Sequence, residues 1–151
     1  MALHRVAPFA DVPENRGLEA RIADTNIVLL RVGDQLRAYQ GECPHAGAPL
    51  AQGAVCNGRL ICPWHKAEFR IEDGALCEPP ALDSLKRYPL EVRDGDIWVD
   101  DQPIADAHTP PTDDGRTFVI VGAGAAGTAC AAALREKGFG GQILLIDREA
   151  D

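Results

Sequence analysis

From Leu3 to about Val99, short runs rich in Val, Ile and Leu alternate with Gly, Asp and Asn punctuation, the pattern of an all-β domain. Candidate strands are Leu3–Phe9, Leu18–Ile22, Ile27–Val32, Gln35–Tyr39, Arg59–Cys62, Ala67–Ile71, Leu85–Val92 and Ile97–Asp100. Gly33-Asp34, Asp73-Gly74 and Asp94-Gly95-Asp96 read as turns, since Asp-Gly readily adopts the positive φ that tight turns need. After Arg116 the pattern changes. Thr117-Phe118-Val119-Ile120-Val121 is a continuous apolar run, as a strand buried on both faces would be. A glycine-rich turn follows it, then a helix-forming stretch to Lys137 with Gly138 as its stop, then a second buried-type strand at Ile143–Ile146.

The run from Asp100 to Arg116, DDQPIADAHTPPTDDGR, carries five Asp, three Pro and one Ile. It cannot bury enough apolar surface to fold alone and reads as a linker. The expected domains are therefore 1–100, a mainly β unit; 101–116, an acidic Pro-rich linker; and 117–151, an incomplete β-α-β unit. The chain has 151 residues and a net charge of −8, which argues against a nucleic-acid partner because phosphates call for a basic surface. Residues 1–99 hold 11 basic and 14 acidic groups, whereas the linker run holds one Arg and five Asp. Half the net charge thus sits in the linker, which weakens any claim that acidity serves function. No apolar segment of signal-peptide type opens the chain, and no run approaches the roughly 18 apolar residues that cross a bilayer. No membrane partner and a cytoplasmic location are expected, with the five cysteines reduced or metal-bound. Cys56, Cys77 and Cys130 have no partner at metal spacing and are expected to be small buried residues.

The remaining two cysteines carry the chemistry. Cys43-Pro44-His45 and Cys62-Pro63-Trp64-His65 present two thiols and two imidazoles as matched pairs, C-x-H and C-x2-H, sixteen residues apart. Two metals suit this donor set: zinc, closing a Cys2His2 site, and a two-iron cluster with Cys on one iron and His on the other. Zinc prefers C-x2-4-C with H-x3-5-H on knuckles or a helix. Here each pair is mixed and sits on a loop, which favours the two-metal site.

This C-P-H-x16-C-P-W-H text resembles the binding motif of Rieske-type [2Fe–2S] proteins. Gly47, Pro49-Leu50, Trp64, Phe69 and the turn at Asp73-Gly74 agree with it. The resemblance implies an antiparallel β-sandwich with a small cluster-binding subdomain. It also implies that Cys43 and Cys62 bind the buried iron, and that His45 and His65 bind the outer iron where electrons enter or leave. High-potential members carry a disulfide whose positions match Ala48 and Trp64 here. They also place a Ser and a Tyr at the positions of Ala67 and Phe69, as donors to a sulfide and a ligand thiolate. Without those donors the reduced cluster is less stabilised, and a potential at the low end of the Rieske range of about −150 to +300 mV is expected.

Gly122-Ala123-Gly124-Ala125-Ala126-Gly127 stands where a dinucleotide-binding turn belongs, after a buried strand and opening a helix. Gly122 would allow the turn, Gly124 a close approach to pyrophosphate and Gly127 tight helix packing. Asp147, ending the next strand, would take ribose hydroxyls. The order of parts is similar to that of proteins related to apoptosis-inducing factor and to flavin-dependent ferredoxin reductases, in which this motif holds FAD. The resemblance implies an electron-transfer part of an FAD-dependent NAD(P)H oxidoreductase, working with a flavoprotein reductase domain or another redox protein. One helix and two strands leave a sheet face uncovered and lack the isoalloxazine pocket and the NAD(P)H domain. Two alternatives stay open: a redox-sensing cluster that gates a flavoprotein, and a zinc module used for structure or binding.

Overall fold

The structure, a computed structural model, describes residues 2–104 and 114–148. It divides into two compact units, Met1–Ala105 and Asp106–Asp151. Most of the expected linker, 105–113, lies outside the described residues.

The first unit contains β1 (Leu3–Pro8), β2 (Gly17–Ile22), β3 (Thr25–Val32), β4 (Gln35–Gln40), β5 (Ala54–Cys56), β6 (Arg59–Ile61), β7 (Glu68–Arg70), β8 (Leu76–Glu78), β9 (Arg87–Tyr88), β10 (Leu90–Arg93) and β11 (Asp96–Asp100). They form three antiparallel sheets, ordered β1-β11-β10, β2-β3-β4-β9 and β5-β6-β7-β8. The middle sheet has a core on each face. Val28, Leu30 and Tyr39 pack with Leu60, Phe69 and Ile71 of the third sheet and its edges. Ile27, Leu29 and Ala38 pack with Ile97 and Val99 of the first. The side chains of β3 alternate between faces, so the run Ile27-Val28-Leu29-Leu30 is fully buried, each residue worth about 1.5–3 kcal/mol. The three layers give the sandwich, and the third sheet is its small subdomain.

Two departures from the sequence reading have local causes. Leu85–Val92 is not one strand: Arg87-Tyr88 pairs with β4, whereas Leu90–Arg93 pairs with β11. The chain changes sheets at Pro89, which has no N–H for a ladder and whose carbonyl accepts from Asp100 N at 2.9 Å. The short strands β5 and β8, three residues each, add to the strands expected from the sequence. Asn57-Gly58 closes the β5–β6 hairpin with φ of 50° and 71°, the signature of a tight two-residue turn, and that signal was present in the sequence.

The second unit contains β12 (Thr117–Val121), α1 (Ala125–Glu136) and β13 (Gln142–Ile146), with β12 and β13 parallel and in register from Thr117↔Gln142 to Val121↔Ile146. Lys137 and Gly138 end the helix. Gly138 has φ 80°, and Phe139 N donates to Leu134 O at 2.9 Å. Within this unit Val119, Val121 and Ile146 are more than half exposed. The uncovered sheet face expected from one helix and two strands is thus present among the described residues.

Candidate metal centre

Both metal-motif segments are loops of the small subdomain, one between β4 and β5 and the other between β6 and β7. They share a construction. Each begins with a buried Cys and a Pro, exposes three residues and ends on a buried Ala: Cys43 to Ala48 and Cys62 to Ala67. In each, the Cys N–H donates across the loop to the Ala carbonyl, Cys43 N to Ala48 O and Cys62 N to Ala67 O, both at 2.8 Å. Closing so short a loop puts its fifth residue in the left-handed region, Gly47 at φ 74° and Lys66 at φ 65°. The outer feet are fixed by Leu50 N donating to Gly41 O at 2.8 Å and by the buried Tyr39 hydroxyl donating to Ile71 O at 2.8 Å.

This pairing sorts the four donors by depth. Cys43 and Cys62 are 3% and 1% exposed, with their thiols side by side and no disulfide between them. Burial pushes the Cys43 thiol up, the backbone N–H groups of His45 and Ala46 pull it down, and the neighbouring Cys62 pushes it up again. Two thiolates brought together in that pocket need a cation between them. His45 and His65 lie at the surface with their Nδ1 atoms 3.1 Å apart and their rings edge to face. One metal with bonds of about 2.0–2.1 Å could accept both nitrogens.

The donors therefore form a buried sulfur pair and an exposed nitrogen pair. Among the described residues, no three His, Cys, Asp or Glu side chains converge to hold a single ion. A mononuclear Cys2His2 zinc site needs all four around one point. Two irons, one for each pair, fit the arrangement. Ala48, Ala67 and Phe69 are buried at 1%, 0% and 0%, and Trp64 is 54% exposed. The repeated Cys-Pro…Ala frame and the left-handed Lys66 are seen only in the structure, although the two six-residue segments share Cys, Pro and Ala at matching positions.

The other cysteines correct an expectation. Cys56 and Cys130 are exposed and Cys77 is half-buried. Cys56 borders the solvated Asn57-Gly58 turn, and Cys130 lies on a helix face that no layer of its unit covers. No helix among the described residues is long and apolar enough to cross a membrane.

In the second unit, Gly122 takes φ 101° and its N–H donates to Ile146 O at 2.7 Å. A Cβ on Gly127 would lie 1.8 Å from Gly122 O and 3.2 Å from Ile120 Cγ2, so only glycine permits this approach of helix and turn. Gly124 caps α1, and a Cβ there would meet nothing within 4 Å. Asp147 follows β13 as Gly122 follows β12. The motif and the carboxylate therefore share the carboxyl end of the parallel pair.

Comparison with known proteins agrees with both halves. The family model of the Rieske [2Fe-2S] domain matches residues 2–89, and that of an NAD(P)-binding Rossmann-like domain matches residues 120–151. Apoptosis-inducing factor 3 of Homo sapiens is 32% identical over 158 residues, covering 95% of this chain; the chain spans 26% of that relative's length. The 3-phenylpropionate/cinnamic acid dioxygenase ferredoxin subunit of Escherichia coli (strain K12) is 38% identical over 95 residues, 62% of this chain and 88% of the subunit. Among solved structures, the ferredoxin of carbazole 1,9a-dioxygenase from Nocardioides aromaticivorans IC177 shares the fold. It matches at a TM-score of 0.63 and 23% identity, over 68% of this chain and all of that one. Dicamba monooxygenase matches at a TM-score of 0.59 and 31% identity, over 65% of this chain and 32% of its own.

Proposed function

The chain belongs to the Rieske [2Fe-2S] domain family, and on that premise we propose that Cys43 and Cys62 hold one iron, and His45 and His65 the other, of a cluster that passes single electrons at low potential. When bound, the cluster supplies a one-electron couple that needs no acid or base from the protein. The single observation that carries the assignment is the sorting of donors, two buried adjacent thiols and two exposed imidazoles with Nδ1 atoms 3.1 Å apart. Cys43 is held by its burial and by the N–H groups of His45 and Ala46, donors that favour a thiolate. The paired imidazole edges keep the solvent side of the site open to a redox partner. The low potential is supported by Ala67 and Phe69, buried side chains that offer no hydroxyl.

The partner on this reading is a flavin in the same full-length protein. Gly122, Gly124 and Gly127 would hold the FAD pyrophosphate at the start of α1, and Asp147 the ribose. The match to apoptosis-inducing factor 3 along nearly the whole chain supports this fusion. Absorption and electron paramagnetic resonance spectra test the centre. The purified protein should be reddish-brown with a reducible signal, and Cys43→Ser with His65→Ala should remove both. A colourless protein loaded with zinc would sink the proposal. In the full-length protein, Gly124→Val should lower flavin content and leave the cluster spectrum intact; unchanged flavin would count against the assigned pyrophosphate site.

A further inference from the structure

We infer that Lys66 makes the exposed edge of the metal centre selective for an acidic redox partner, one whose docking face presents carboxylates next to its own cofactor. The inference rests on the electron-transfer reading above and names the charge of the partner that reading requires.

Three observations lead to it. Lys66 sits at φ 65°, in the left-handed region, where the matching position of the other loop is Gly47 at φ 74°. Loop closure demands that conformation, and a lysine holds it only under strain that glycine would not feel. The side chain is exposed and adjoins His65, and its Nζ donates to Pro63 O at 3.3 Å; among the described residues it has no carboxylate partner. Of the twelve residues in the segments 43–48 and 62–67, Lys66 alone is formally charged, on a chain whose net charge is −8. The neighbouring carboxylates stand at the loops' feet. Glu68 is bridged to Arg59 at 2.6 Å, and Glu42 is exposed, one residue before a buried Cys. The formal charge of the two loop segments is therefore opposite in sign to the net charge of the chain, and a local charge governs an encounter once the surfaces approach within a Debye length.

The test uses redox probes of opposite charge on the cluster-loaded protein. One electron passes from the reduced cluster to each probe, with no proton moved: ferricyanide (3−) becomes ferrocyanide (4−), and tris(phenanthroline)cobalt(III) (3+) becomes the cobalt(II) complex (2+). Lys66→Gly suits the backbone at φ 65° and should fold at least as well as the parent. At an ionic strength of about 0.01 M, a unit charge roughly 10 Å from a trivalent probe changes encounter by about fivefold. Lys66→Gly should slow ferricyanide by about that factor and speed the cobalt complex to a similar degree. Lys66→Glu should roughly double both effects on a logarithmic scale, and all should vanish near 1 M salt. Glu42→Gln should act in the opposite sense and more weakly.

A readout free of electron transfer accompanies it. The redox-inert trianion hexacyanochromate(III) should broaden the Trp64 indole N–H resonance in the parent protein and not in Lys66→Gly. Rates insensitive to Lys66, a change of the same sign with both probes, or no broadening in the parent would each overturn the inference. A parent protein that shows no cluster spectrum overturns the electron-transfer reading itself, which separates the two failures.

Discussion

Phe69→Tyr is the substitution whose outcome most directly tests the low-potential reading. Phe69 is fully buried in the core that also contains Cys43, Cys62 and Ala67. The side chains of that core offer few polar atoms: the two cysteine sulfurs and the Tyr39 oxygen, whose hydroxyl already donates to Ile71 O. A hydroxyl introduced there must donate to a ligand thiolate or to the Tyr39 oxygen, or find a backbone carbonyl, or go unsatisfied. A hydrogen bond to a charged group is worth about 1.5–3 kcal/mol. The midpoint responds only to the part that strengthens when the cluster gains an electron. If that part is about 1–2 kcal/mol, and 59 mV corresponds to a factor of ten for one electron, the midpoint should rise by about 40–90 mV. Spectroelectrochemical titration measures this, with Phe69→Leu as a control for packing without a donor. Ala67→Ser should move the midpoint in the same direction. If the hydroxyl stays unsatisfied, stability falls by about 1–3 kcal/mol while the potential stands still. A midpoint at or below that of the parent in both donor variants refutes the argument.

Further expectations concern the scaffold. Gly127→Ala would place a Cβ 1.8 Å from Gly122 O and should cost about 4 kcal/mol or more, read as loss of helical signal from the second unit while the cluster spectrum persists. Lys66→Gly should raise the stability of the first unit by about 0.5–1 kcal/mol, the left-handed penalty less the greater unfolded freedom of glycine; a lower melting temperature would contradict it. Tyr39→Phe removes a buried 2.8 Å bond and should cost about 1–3 kcal/mol. Burial pushes the Tyr39 hydroxyl up to about 12, so the parent should lose stability as pH rises from 10 towards 12, and the variant should lose less over that window. Asp96 takes two bonds from Arg5 at 2.6 and 2.8 Å, which hold its carboxyl below the ordinary 3.8. Its contribution is present above that value and is lost as pH falls through the lower folded one. Asp96→Asn should therefore flatten the acid limb of a pH–stability curve, and an unchanged limb would remove this pair from the account.

Much of this molecule was legible without coordinates because its signals are local. Alternation and turn residues marked most of the strands, and Gly138 marked the helix end. Four Cys and His residues at fixed spacing marked the two paired loops of the candidate site, because metal chemistry constrains residue type more tightly than packing does. The misses involve distance along the chain. Pro89 divides one apolar run because β9 and β10 join different sheets, and pairing with β4 or β11 is not written in the run itself. The exposure of Cys56 and Cys130 depends on which layers cover them, which no local pattern states.

The sequence by itself determined the four candidate donors, their arrangement as mixed Cys/His pairs, and the glycines that bring helix α1 against its turn. It favoured a two-metal site over a single zinc and said nothing of how deep each side chain lies. Only the tertiary structure shows that the two cysteines are buried together and the two histidines exposed together, because depth depends on how the two loops are mounted on the third sheet. Their shared closure from Cys N–H to Ala carbonyl turns the sulfurs inward and leaves the imidazoles at the surface. The same closure forces the backbone of Lys66 into the left-handed region and leaves its side chain exposed beside His65.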